Sequence, residues 1–361
     1  MNIPAIVSGA PVRILIVDDS AFYRAQLARI IGAEPGLQVV GKASNGRQAV
    51  ALAAQLQPDL ITMDVEMPVL DGIEATREIM HSAPSRIVML SAFTAAGAEA
   101  TLNALDAGAV DFITKRALHG DMAGGAGNDL RARLRSIASS RGALVPPRRP
   151  ALAPALTAAA KAPVSDEAPT RFAAATVLVI GASSGGPALL GELVGAFQAD
   201  FPAAVVLAVH MPAQFSACFA ERLARRCRLP LGHGFNGARV RPGQILVAPG
   251  GMQSSLRRDA DGYTLEVDPG GATELYRPSI DRLLESAALA AGRHTAGVVL
   301  TGMGSDGSVG ARAVKAAGGR MWAQDEASST VFGMPAAVIR AGLADEILSA
   351  TELASRLRRG G

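Results

Sequence analysis

In the first third of the 361-residue chain, the residues able to do chemistry sit at the ends of apolar runs. Asp18 and Asp19 follow Arg13-Ile14-Leu15-Ile16-Val17, Asp64 closes Leu60-Ile61-Thr62-Met63-Asp64, Ser91 follows residues 86–90, and Lys115 follows residues 110–114. In open α/β sheets, ligands bind outside the carboxyl ends of the strands. Three carboxylates meeting there would raise one another's pKa unless a cation sat among them, and an oxygen-lined acidic cleft suits Mg²⁺. With a hydroxyl and an ammonium beside them, the set suits an aspartyl phosphate: one carboxylate attacks a phosphoryl group and the others neutralise its charge.

A second set lies further on. Gly181-Ala182-Ser183-Ser184-Gly185-Gly186-Pro187 follows an apolar run and precedes a helix-like stretch from Ala188 to Phe197. Such a turn lifts a serine to the sheet edge beside helix N–H groups, with Pro187 in the helix's first turn. The motif alone fits a nucleophile or a phosphate cradle equally, and Gly181-x-Ser183-x-Gly185 selects Ser183 over Ser184 as the nucleophile. A serine needs a base, and the base needs an orienting acid. His210 is the histidine that closes an apolar run, and Asp306 lies in the glycine-rich turn of residues 301–307. Taken singly, His210 reads as a core histidine and Asp306 as a cap for a helix starting near Gly307. The order Ser, His, Asp differs from the Ser, Asp, His of α/β-hydrolases, which would require His294 with Asp268 or Asp281.

The elements that must position these groups follow from patterning. Runs at 13–17, 39–43, 60–64, 86–90 and 110–114 alternate with helix-like stretches, which implies βαβ units and a parallel sheet. The rhythm returns at 176–182, 204–210, 245–249, 297–302 and 319–324, whereas residues 255–267 read as a hairpin and predict a mixed sheet. Between them, residues 136–171 hold ten alanines and six prolines and read as a linker. The expected division is therefore 12–135, 136–171 and 172–361, two domains with separate cores. A formal net charge of +3 and the lack of a recognition-helix pattern argue against nucleic acid. The first residues lack signal-peptide character, and the uncharged run 172–191 reads as strand, turn and helix, which predicts no membrane insertion. Two cysteines, Cys218 and Cys227, make no disulfide framework and suit a reduced, cytoplasmic protein.

Val17-Asp18-Asp19-Ser20, Met63-Asp64-Val65-Glu66-Met67-Pro68, Asp71-Gly72 and Ala107-Gly108-Ala109 with Lys115 resemble the receiver domain of two-component response regulators. The resemblance implies a flavodoxin-like (βα)5 fold, Asp64 as phosphoacceptor, and Asp18, Asp19 and Asp64 as Mg²⁺ ligands. It also implies Ser91, Phe112 and Lys115 as switch residues, while Gly72 reads by itself as a backbone device beside the site. Arg116 stands where that family usually has Pro. The turns carrying Ser183, His210 and Asp306, with residues 323–326 and 331–335, resemble the catalytic domain of the chemotaxis protein-glutamate methylesterases, the CheB family. That resemblance implies a doubly wound, mostly parallel α/β domain with a β-hairpin and a Ser183, His210 and Asp306 triad. It places Met303 in the loop that helps bind the tetrahedral intermediate, and Ser184 stands where many members have Thr. The implied activity is a phosphorylation-regulated serine hydrolase that demethylates glutamate methyl esters, and deamidates glutamines, on methyl-accepting chemotaxis receptors. Ester hydrolysis needs no cofactor, and a chemotaxis histidine kinase is the implied phosphodonor. The competing reading is a receiver joined to a non-catalytic phosphate- or protein-binding output domain.

Overall fold

Near-continuous runs of Val, Ile and Leu present no polar face to water, so the strands they form must be covered by helices on both sides. The computed structural model describes residues 10–92, 94–119, 125–140, 176–272 and 274–359. In the first domain β1 (Val12–Val17), β2 (Leu37–Ala43), β3 (Leu60–Asp64), β4 (Arg86–Ser91) and β5 (Asp111–Thr114) alternate with five helices. These are α1 (Ala21–Gly32), α2 (Gly46–Leu56), α3 (Gly72–Ser82), α4 (Ala95–Asp106) and α5 (Gly125–Ala138). The strands pair in parallel in the order β2-β1-β3-β4-β5. Asn45, Asp71 and Thr94 cap α2, α3 and α4 by accepting backbone N–H groups of the first turn. The order reverses between β1 and β3, so Asp18, Asp19 and Asp64 emerge at the crevice of the switch point.

The second domain contains β6 (Val177–Ala182), α6 (Gly186–Leu193), β7 (Ala204–Val209), α7 (Ala213–Ala224), β8 (Leu231–His233), β9 (Ala238–Val240) and β10 (Ile245–Val247). It continues with β11 (Gln253–Asp259), β12 (Gly262–Asp268), α8 (Ile280–Ala291), β13 (Thr295–Val299), α9 (Ser308–Ala316) and β14 (Arg320–Gln324). The chain then adds α10 (Met334–Arg340), β15 (Glu346–Leu348) and α11 (Ala350–Arg358). Seven strands form one sheet in the order β15-β14-β13-β6-β7-β10-β8. Every pairing in it is parallel.

The expected mixed sheet is therefore corrected. The hairpin β11–β12 forms as read, but it joins β9 in a separate three-stranded antiparallel sheet. Pro249, Gly250 and Gly251 turn the chain away after the three-residue β10, and α8 then packs on β11. The run 172–191 resolves, over its described part, into β6, a turn and the start of α6, and no helix among the described residues is long and apolar enough to cross a membrane. The expected linker lies, from residue 141 onward, outside the described residues. In the large sheet the winding reverses at β6 and β13, so the switch point falls between the turn after Ala182 and the turn after Val299.

Candidate active site and receiver pocket

The first-domain pocket gathers the residues expected there. Asp18, Asp19 and Asp64 offer oxygens within 4.8 Å of one another. Lys115 Nζ donates to Asp64 Oδ2 at 2.7 Å and lies 3.0 Å from Asp18 Oδ2. Apart from that ion pair, the buried Asp18 oxygen has no hydrogen-bond partner among the described residues. Burial, opposed by the Lys115 bond and reinforced by the Asp18 and Asp19 charges, pushes the Asp64 carboxyl up to about 6. An orphaned carboxylate oxygen among three crowded carboxylates fits a hard divalent cation. Tyr23 lies under the ammonium, with Lys115 Nζ 4.6 Å from its ring centre. Gly72 is obligatory, because a Cβ there would strike the Asp64 carbonyl oxygen. Ser91 is fully buried and turned toward α4: Thr101 Oγ1 donates to its hydroxyl at 2.5 Å.

In the second domain, β6 and β7 pair in register up to Ala182 and Val209. The next residues, Ser183 and His210, leave adjacent strands side by side, about 5 Å apart along the hydrogen-bonding direction. His210 N–H donates to the Ala182 carbonyl at 3.1 Å, and Ser183 N–H to that of Thr301 at 3.0 Å. Gly302 makes room for the serine, since a Cβ there would lie 2.8 Å from Ser183 Cβ. Gly185 caps α6 with φ of 79°, a left-handed conformation that favours glycine, and Pro187 occupies the first turn. Ser184 is buried and Ser183 half-buried, in line with the choice of Ser183.

His210 Nε2 lies 2.8 Å from Asp306 Oδ2, which leaves Nδ1 as the ring nitrogen available to a hydroxyl. Among the described residues the Ser183 hydroxyl has no hydrogen-bond partner. Asp306 caps a helix, but not the one that follows it. Its carboxylate accepts the N–H groups of Ile280 (2.7 Å) and Asp281 (2.9 Å) and the Ser279 hydroxyl (3.1 Å) at the start of α8. Burial alone would raise the Asp306 carboxyl, yet His210 and these N–H groups hold it below the ordinary range and therefore charged.

Sequence reasoning missed Tyr276, whose ring stacks on His210 at a centroid distance of 4.5 Å and an angle of 9°. Buried Gln253 clamps its loop, donating to the Tyr276 carbonyl and accepting Ser279 N–H, both at 2.8 Å. No local motif announces these contacts, which join β11 to the start of α8. The α/β-hydrolase alternative fails on topology. His294 immediately precedes β13 and accepts the Thr176 N–H, so it sits at the amino edge of the sheet, opposite Ser183.

The two domains meet around this site. α4 packs against α6 and α7, the helices that follow Ser183 and His210. Phe112 stacks on fully buried Phe215 of α7 at 4.5 Å and 16°. Asp106, at the end of α4, pairs with Arg222 and, at 2.7 Å, with Arg226. Val331 and half-buried Met303 join the apolar cluster that contains Leu130, Leu134 and Ile137 of α5. Burial, then the charges of Asp306, of Asp129 on α5 and of Asp281, raise the Tyr276 phenol above its usual range.

A flavodoxin-like receiver with an acidic pocket, seated on a doubly wound α/β domain of hydrolase type, defines a receiver-controlled enzyme. Comparison narrows the class. A model of the response regulator receiver domain matches residues 14–123, and one of the CheB methylesterase matches residues 178–357. A protein-glutamate methylesterase/protein-glutamine glutaminase of Alkalilimnicola ehrlichii is 41% identical over 386 residues, covering 96% of this chain and 99% of the relative. A protein-glutamate methylesterase/protein-glutamine glutaminase 1 of Vibrio cholerae is 41% identical over 370 residues, covering 96% and 98%. The crystal structure of the Thermotoga maritima CheB methylesterase catalytic domain superposes with a TM-score of 0.50 at 35% identity, covering 51% of this chain and 98% of that one. The chain belongs to the CheB methylesterase family.

Proposed function

We propose that residues 172–361 hydrolyse γ-methyl esters of glutamate side chains on methyl-accepting chemotaxis receptors, and that residues 12–135 control access to that site by phosphorylation. The observation that carries the reading is the pair of half-buried His210 and buried Asp306, held 2.8 Å apart beside a serine at the switch point of the sheet. A phosphate cradle at the same turn would leave that pair without a purpose. The relatives' names support both the ester and the glutamine amide as substrates.

In the reaction, Ser183 Oγ attacks the ester carbonyl carbon as His210 takes its proton. Asp306 fixes the imidazole tautomer and stabilises its charge. With the Ser183 N–H engaged by the Thr301 carbonyl, the backbone N–H groups that follow Ser183 in its turn and those of the Met303 loop are the donors left for the oxyanion, each such donor being worth about 100- to 1000-fold in rate. His210 returns the proton to the departing methoxide, so methanol leaves, and a water activated by His210 then splits the acyl-enzyme to free glutamate. Hydrolysis of a glutamine follows the same steps with ammonia leaving.

Control begins at Asp64, the phosphoacceptor, with Asp18, Asp19 and Asp64 the residues to hold Mg²⁺. The ion supplies charge neutralisation for phosphoryl transfer. A chemotaxis histidine kinase is the phosphodonor of matching chemistry, and the free thiols Cys218 and Cys227 suit a reducing cytoplasm. A phosphoryl group on Asp64 competes with the Ala92 and Gly97 carbonyls for the Ser91 hydroxyl proton and with the carboxylates for Lys115. Either change disturbs α4 and Phe112, which bear on α7. The test is methanol release from methylated receptor. Ser183→Ala and His210→Ala are expected to abolish it, and release from Ser183→Ala at the wild-type rate would overturn the assignment.

A further inference from the structure

Resting on the hydrolase reading, we propose that Asp281 is a positioning residue for the reaction, one that holds Asp306 against His210 through a reciprocal clasp between two helix starts. Asp281 Oδ1 accepts the N–H groups of Gly307 (2.8 Å) and Gly310 (2.7 Å), at the start of α9. In return, Ser279, Ile280 and Asp281, at the start of α8, donate to Asp306. Each carboxylate thus satisfies orphan donors of the helix that the other one introduces. Asp306 Oδ2 is shared between Ile280 N–H and His210 Nε2, so any shift of α8 relative to α9 displaces the acceptor on which the imidazole depends.

The clasp leaves no slack. A Cβ on Gly310 would lie 2.6 Å from Leu284 Cβ and 2.9 Å from Asp281 Cα, so the two helices touch backbone to backbone. The groups that face Asp281 are Asp306, from the turn before α9, and Tyr276, from the loop before α8, with His210 beyond Asp306. Burial, opposed by the Gly310 N–H and reinforced by the Asp306 charge, brings the Asp281 carboxyl up to about 6. At neutral pH it is a second negative charge behind the His210–Asp306 pair.

The test uses the full chain with a small phosphodonor and follows methanol release as a function of pH. Asp281→Asn keeps the acceptor oxygen and removes the charge; Asp281→Ala removes both. Asp281→Ala is expected to lower kcat by about 10- to 100-fold with little change in KM, as a misplaced catalytic group does. Asp281→Asn is expected to recover most of that kcat and to move the acid limb of kcat/KM down by about half to one pH unit, because a nearby negative charge is gone. An acid limb that stays in place in Asp281→Asn, or a raised KM with unchanged kcat in Asp281→Ala, overturns the proposal. If Asp281→Ala does not fold, the limb of Asp281→Asn decides alone. Ser183→Ala in the same assay separates the two layers. Wild-type release from it defeats the hydrolase reading, whereas an inactive Ser183→Ala beside unaltered Asp281 variants defeats this inference alone.

Discussion

Replacing Asp106 with Ala removes the carboxylate that ties α4 to α7. Its partners are unequal: the Arg222 side chain is 17% exposed and that of Arg226 is 43% exposed, with Asp106 itself at 39%. Pairs this accessible are worth about 0.2–1 kcal/mol each, so the two together contribute about 1 kcal/mol. That corresponds to about a fivefold change in the equilibrium between covered and uncovered triad. The Phe112–Phe215 stack, worth about 1 kcal/mol beyond its burial, and the packing of Met303 and Val331 remain, so the cover is loosened and not lost. The assay is the initial rate of methanol release from methylated receptor by the unphosphorylated full chain at low salt. The expected result is about a fivefold rise that shrinks at about 0.5 M salt, where ion pairs are screened. After a phosphodonor is added, variant and wild type should converge. Adding Arg226→Ala to Asp106→Ala should change little, since both remove part of one network. An unchanged unphosphorylated rate would refute a covering role for this contact, and so would a rise of equal size after phosphorylation.

Three further outcomes are expected. Tyr276→Ala should cost about 1 kcal/mol of transition-state stabilisation, or five- to tenfold in kcat, by freeing the His210 ring, whereas Tyr276→Phe keeps the stack and most of the rate; steady-state kinetics distinguishes them. Gly72→Ala should take about 1–3 kcal/mol from the receiver and abolish acceptance of a phosphoryl group from acetyl phosphate, because the new methyl collides with the Asp64 carbonyl; urea unfolding and phosphorylation assays check both. Burial pushes the His233 imidazole below its ordinary range, beside Ser216 Oγ at 2.9 Å. The unfolded chain therefore binds that proton first as pH falls below about 6.5, and stability is lost in that direction. In His233→Asn the drop in urea midpoint between pH 7 and pH 5 should be smaller than in the wild type.

Groups at strand ends were legible in the sequence because a buried parallel strand leaves an unmistakable apolar run, and the residue after it has one place to go. Asp18, Asp64, Lys115, Ser183 and His210 were all found in this way. Asp306 was also found, but the helix it caps was not: local spacing offered α9 as the alternative, while its donors, two backbone N–H groups and the Ser279 hydroxyl, come from the start of α8, 25 to 27 residues earlier. The hairpin was read correctly and its sheet was not, since alternation specifies a pair of strands and says nothing of which neighbour they join. Tyr276 and Gln253 have no signature, and the role of Asp281 depends on two glycine N–H groups that only the α8–α9 packing brings to it. Likewise, nothing in the spacing of Phe112 and Phe215 or of Asp106 and Arg226 signals contact, because they lie on different domains.

The most direct measurement is methanol release from methylated receptor by the full chain, before and after addition of acetyl phosphate with Mg²⁺. Wild type should release slowly and then faster, Asp64→Asn should stay slow, and Ser183→Ala should release nothing in either condition. Release from Ser183→Ala equal to that of the wild type, or a phosphodonor response that survives in Asp64→Asn, would contradict a serine hydrolase uncovered by its receiver.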